Sequence, residues 1–198
     1  MKRNIKSLVY VGISTAIVLV CCQPTDKVQS MGDTTTAVDH VVANAPPAPG
    51  AQKMGDGIQT AMFIEKAALG NMFEVTSGKL AFEKANNKGV RAFGKLMVQD
   101  HKRIHEALTA LSAAKGLKLP VSLSAKQMEQ VRQMEKMETD YFEKLYLKMM
   151  NENHNKDIEL FKGAGDSPDT AVSNFAGQFL PVLESHREKA LNVREGIK

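Results

Sequence analysis

The sequence predicts an all-α protein built as one antiparallel four-helix bundle. From Asp56 onward apolar residues recur at helical spacing, and no alternating strand pattern appears. Three breaks, at Asn86-Asn87-Lys88-Gly89, Gly116-Leu-Lys-Leu-Pro120 and Gly163-Ala164-Gly165, divide this region into long segments. About 140 residues in four such segments is the size of one bundle with short loops.

The first helix is expected from Asp56, with Asp56 as its cap and Gln59 as capping-box partner, to about Asn86. The second runs from about Val90 to Lys115 and stops at Gly116. The third starts at Ser122 or Ser124, is expected to break near Thr139, and resumes to Gly163. Ser167-Pro168-Asp169 starts the last helix, with Ser167 as cap and Pro168 in its first turn. Pro181 within that helix predicts a kink just before His186. Lys95 to His101 and Lys148 to His154 echo each other weakly, as a duplicated hairpin or a coincidence would.

The N-terminus reads as an export signal. Lys2, Arg3 and Lys6 precede an uncharged stretch, Leu8 to Val20, which is too short for a comfortable membrane span. It leads into Leu19-Val20-Cys21-Cys22, which resembles a lipoprotein cleavage box with Cys22 as the lipidated residue. Acyl chains insert at roughly 0.8 kcal/mol per buried methylene and would hold the protein on a membrane. The expected location is therefore the bacterial cell envelope, facing the periplasm. Residues 1–21 are then the signal peptide and 22–55 a disordered tether that includes His40 and the run Pro46-Pro47-Ala48-Pro49-Gly50. Such a tether spans about 30 Å. Residues 56–198 form the helical domain.

Both cysteines, Cys21 and Cys22, fall at the end of the signal, so the helical domain has neither a disulfide nor a thiol ligand. The net charge of +4 drops close to neutral once Lys2, Arg3 and Lys6 are discounted. With no Trp and no concentrated basic patch, nucleic acid is not expected as a partner.

Four polar residues each sit at the centre of an otherwise apolar helical face. Glu74 lies among Phe63, Ala67 and Gly78; His101 among Met97, Ile104 and Leu108; His154 among Met150, Ile158 and Phe161; and His186 among Phe179, Val182 and Ala190. Burying such groups without partners costs several kcal/mol, so they should meet one another or a ligand. Asp157, three residues after His154, can share its face. Nitrogen and oxygen donors of this kind suit one transition-metal ion, Zn, Cu, Ni or Fe. The bland alternative is a hydrogen-bonded polar layer that fixes the core, with Asp100 capping or orienting it. His105, one turn beyond His101, reads as a surface residue, although an i, i+4 pair of histidines can chelate. Met128, Met134, Met137, Met149 and Met150 read as core filling, and the charges of Lys126 to Lys144 as a solvated face. No nucleophile elbow, phosphate-cradling loop or triad spacing is visible, so catalysis would have to come from a metal centre.

The motifs taken in order resemble a bacterial family of exported proteins, domain-of-unknown-function family 4142. The resemblance runs from about Asp56 to Val193. It rests on Phe63 to Val75, Phe93 to His101, Gly116 to Pro120, Tyr141 to Tyr146, His154 with Phe161, and Leu180-Pro181 ahead of His186. It implies a ferritin-like bundle. The carboxylate-bridged di-iron pattern of that superfamily needs Glu-x-x-His pairs. Here Val98, Asn151 and Leu183 stand three residues before the three histidines, which disfavours a di-iron oxidase. A stress-related structural or interaction bundle is the competing role.

Overall fold

The computed structural model describes residues 49–197, and Cys22, His40 and most of the expected tether lie outside them. Among the described residues every regular element is a helix: α1 (Pro49–Lys84), α2 (Lys88–Ala114), α3 (Ala125–Lys136), α4 (Thr139–Gly165) and α5 (Thr170–Glu195). None is long and apolar enough to cross a membrane.

The helix boundaries follow local chemistry, with three departures from expectation. α1 begins at Pro49 rather than Asp56, so Asp56 lies inside the helix and caps nothing. Pro at a first helical position is pre-set for helical φ, and Ala51-Gln52-Lys53-Met54 offers no reason to stop. α5 is capped by Asp169, whose carboxylate accepts from the Ala171 and Val172 amides, and not by Ser167. Ser167 Oγ instead accepts from the Asp169 amide, which leaves Pro168 outside the helix. Third, the loops are not all short, because α3 occupies the long connection from α2 to α4.

Elsewhere the signals hold. Asn87 caps α2 by accepting from Gly89 and Val90. After α2, Gly116 takes the left-handed backbone (φ 66°) that glycine tolerates. Ser124 and Gln127 form a reciprocal capping box at α3. The expected interruption near Thr139 separates α3 from α4. α5 continues as helix through Pro181.

α1 packs along α2 and α4 along α5, and the pairs close on each other through α2–α5 and α1–α4. α3 lies against α1, held by Gln127 Nε2 donating to Leu69 O at 2.9 Å and Lys84 Nζ to Glu135 O at 2.8 Å. The core has two apolar parts. One unites the beginnings of α1 and α5 with the ends of α2 and α4, around Phe63, Leu108, Phe161 and Phe175. The other joins the opposite ends of α1 and α2 to α3 and the start of α4, around Phe73, Met97, Phe142 and Met150. Met134 and Met150 fill the core as expected, Met137 and Met149 are half-buried against it, and Met128 is exposed.

Two local devices fix the α1–α2 hairpin. Glu143 of α4 is buried and accepts from the Asn86 and Asn87 amides at 2.7 Å each, so it does not belong to the solvated face assigned to Lys126–Lys144. Gly78 and Gly94 let the two backbones touch. A Cβ on Gly94 would stand 2.7 Å from Gly78 O and 2.9 Å from Phe82 N, too close for any side chain.

Candidate metal centre

Between the two apolar clusters lies a polar layer containing Glu74, His101, His154 and His186, each at most 1 % exposed. Each arrives from a different helix, α1, α2, α4 and α5, as the helical faces require. The imidazole rings of His101, His154 and His186 stand 5.2–5.6 Å apart, centroid to centroid. One nitrogen of each ring lies within 4.8 Å of one nitrogen of the other two.

The partners of the remaining nitrogens decide which ones converge. His154 Nδ1 lies 2.8 Å from the Met150 carbonyl, which can only accept, so this nitrogen carries the proton. His186 Nε2 donates to Asp100 Oδ2 at 2.8 Å. His101 Nδ1 donates to Asn71 Oδ1 at 3.0 Å and lies 3.2 Å from Glu74 Oε2. A neutral imidazole has one N–H, and here all three point outward to oxygen. The inward nitrogens, His101 Nε2, His154 Nε2 and His186 Nδ1, therefore present lone pairs to one another. His154 Nε2 and His186 Nδ1 are 3.3 Å apart, and His101 Nε2 is buried with no hydrogen-bond partner.

The electrostatics keep the rings neutral. Burial, aided by His154 and His186, holds His101 well below the usual imidazole range. Burial and His186 lower His154 to about 3. Burial also lowers His186, although the Asp100 carboxylate opposes it. Burial would raise Asp100, but the hydrogen bonds from His186 and Arg103 outweigh it and hold the carboxyl below its ordinary value.

Glu74 sits on the outer side of the layer. Its Oε2 meets the Nδ1 edge of His101, while Oε1 lies 3.3 Å from His154 Nδ1, whose N–H is already directed at Met150 O. Burial and the charge of Asp157 push Glu74 well above the usual carboxylate range, and burial raises Asp157 to about 6. These two carboxyls thus form a pair beside the imidazoles. Asp157, half-buried, lies beside Gly70, where a Cβ would come within 3.3 Å of its Oδ1, and its partner in the layer is Glu74. Tyr146 adds a buried hydroxyl without a partner, and burial together with Glu74 raises its pKa.

Sequence reasoning places Glu74 and Asp157 in the same set as the histidines, whereas the converging donors are the three imidazoles alone. It misses Asn71, three residues before Glu74 on the same helical face and 4 % exposed. His105 is half-buried rather than a plain surface residue, with its Nδ1 inaccessible and unpartnered.

A family model described as a domain of unknown function, DUF4142, matches residues 43–193. The chain belongs to the DUF4142 family. Every residue of the polar layer falls inside the DUF4142 match, and Cys22 falls outside it. No curated protein and no solved structure matches the chain.

Proposed function

We propose that the protein binds one transition-metal ion through His101 Nε2, His154 Nε2 and His186 Nδ1. One observation carries this reading: three inward lone pairs face each other in a buried layer while each outer N–H is fixed by an oxygen. Outer-shell acceptors of that kind orient metal-binding histidines and raise their basicity. Two nitrogens held at about 2.0–2.1 Å in a tetrahedral arrangement stand about 3.3 Å apart, the spacing of His154 Nε2 and His186 Nδ1. Zn, Cu, Ni and Fe all accept imidazole. Asp100 and Asp157 supply negative charge around the cation, and Glu74 and Asp100 orient ligands.

The wider reading is an exported protein anchored at Cys22 in the bacterial cell envelope, facing the periplasm. Its domain is a ferritin-like antiparallel four-helix bundle in which α3 belongs to the single long crossover. The sharing of helix beginnings and ends between the two apolar clusters supports that topology. The metal-free alternative takes the 3.3 Å contact between His154 and His186 as a structural hydrogen bond. It leaves His101 Nε2 buried and unpaired.

Thermal melts of wild type and His186→Leu with Zn, Cu, Ni and Fe(II) test the centre. A bound metal stabilises the folded state by mass action, about 2.7 kcal/mol at 100 times Kd. Wild type should gain melting temperature at pH 7.5, and the variant should not. The gain should persist at pH 5.5, because burial holds His101 and His154 deprotonated well below that pH. If no metal shifts wild type at either pH, the structural layer is the correct reading. Loss of the chain from the membrane fraction in Cys22→Ser tests the anchor.

A further inference from the structure

A buried centre needs a route for its ion. Among the described residues, two surface cavities reach a side chain that touches the histidine layer. One, of about 400 Å³, opens between α1, α2 and the loop before α3, and is lined by Asn71, Thr76, Lys102, His105, Glu106 and Val121 among others. The other, of about 510 Å³, is lined by Asp100, Arg103 and Gln178 among others.

They differ in what they offer a cation. In the second cavity the Asp100 carboxylate is already engaged by His186 and Arg103, and the guanidinium repels an arriving metal. The first offers a free ligand. His105 is half-buried and lines the cavity; its Nδ1 is inaccessible and unpartnered, so Nε2, at the opposite edge of the ring, is the nitrogen an arriving ion meets. The cavity wall includes Asn71, whose Oδ1 accepts from His101 Nδ1 at 3.0 Å. His105 lies one helical turn from His101, about 6 Å along α2. Lys102 and Glu106 balance each other at the opening, so imidazole coordination, rather than net charge, must hold the ion there.

We propose that this cavity is the port through which a divalent transition-metal ion enters, with His105 as its first ligand and Asn71 as the gate. The proposal rests on the three-histidine reading. The ion binds His105. Asn71 then releases His101 Nδ1, which keeps only Glu74 Oε2 as its neighbour, and the ring turns its Nε2 toward the ion and carries it into the layer. His105 is not part of the final set, so it controls rate and not affinity.

The test is stopped-flow uptake of Co(II) by the full-length chain, read by the visible absorption of nitrogen-bound cobalt, with affinity measured at equilibrium. His105→Ala and His105→Gln should each slow uptake at least tenfold and leave Kd within threefold. Val121→Trp, which narrows the opening, should also slow it, and Gln178→Trp at the other cavity should not. Uptake at the wild-type rate in both His105 variants overturns the port and leaves the centre standing, as does slowing by Gln178→Trp alone. Absence of cobalt binding by wild type, in a protein whose melts respond to no metal, overturns the centre and the port together.

Discussion

At one end of the bundle Phe63, Phe161, Phe175 and Phe179 pack ring against ring, with centroids 5.0–6.0 Å apart. In the middle layer His101, His154 and His186 come as close, but each ring is fixed by its own acceptor: Asn71, Met150 O or Asp100. The aromatic cluster shares its attraction over many weak contacts, so no ring is set by a single neighbour. The polar layer is set one bond at a time. Volume matters at the end of the bundle, and atom identity matters in its middle.

The largest expected effect is at the aromatic end. Phe161→Ala should cost about 3–5 kcal/mol in denaturant unfolding through lost burial and a cavity, with little change in metal affinity. A variant that stays stable but loses metal would break the division between the two regions.

The second prediction concerns pH in metal-free protein. His154 is held at about 3 when folded, against about 6.5 unfolded. The folded state thus binds fewer protons below about pH 6.5, and stability falls as pH drops. For this residue the loss between pH 7.5 and 5 is about 2 kcal/mol, at roughly 1.36 kcal/mol per unit below 6.5. Asp157, raised to about 6 by burial, acts the other way and recovers stability as pH falls through that value. His154→Leu should flatten the acid limb in urea melts, and Asp157→Asn should steepen it. Identical profiles for all three proteins would show that the layer does not control acid stability.

Asp100→Ala sharpens the comparison further. It removes the acceptor of His186 and should weaken metal binding about 10–100-fold by titration, while the aromatic end keeps its packing. The smallest effect is Ser124→Ala, which removes the α3 cap. It should cost about 1 kcal/mol in thermal stability and leave metal affinity untouched.

Sequence periodicity is enough to locate the four inward polar residues, because a charged or imidazole side chain on an apolar helical face is visible within a few turns. It also reveals Gly116, the Ser124 cap and the interruption near Thr139. It fails where the deciding partner is distant. Glu143 sits in a run of Lys and Glu that reads as solvated, and only its bonds to Asn86 and Asn87, 57 and 56 positions away, make it internal. Ser167 and Asp169 are both good caps, and local sequence does not choose between them. The separation of Glu74 from the converging nitrogens is likewise hidden, since periodicity assigns a residue to a face but not an atom to a side of the ring. Asn71 was legible in principle, as a polar residue one turn before Glu74.

The contact between Gly78 and Gly94 makes the α1–α2 hairpin a lever with its fulcrum at that crossing. Glu74 and Asn71 ride on one arm and His101 on the other, so their reach across the layer is set by how closely the two backbones meet. A single methyl group at position 94, touching none of the polar side chains, would spread the arms and lengthen the Asn71–His101 bond. The precision of the imidazole layer is therefore vested in a place without functional groups, where drift in sequence would distort the layer while leaving its polar residues intact.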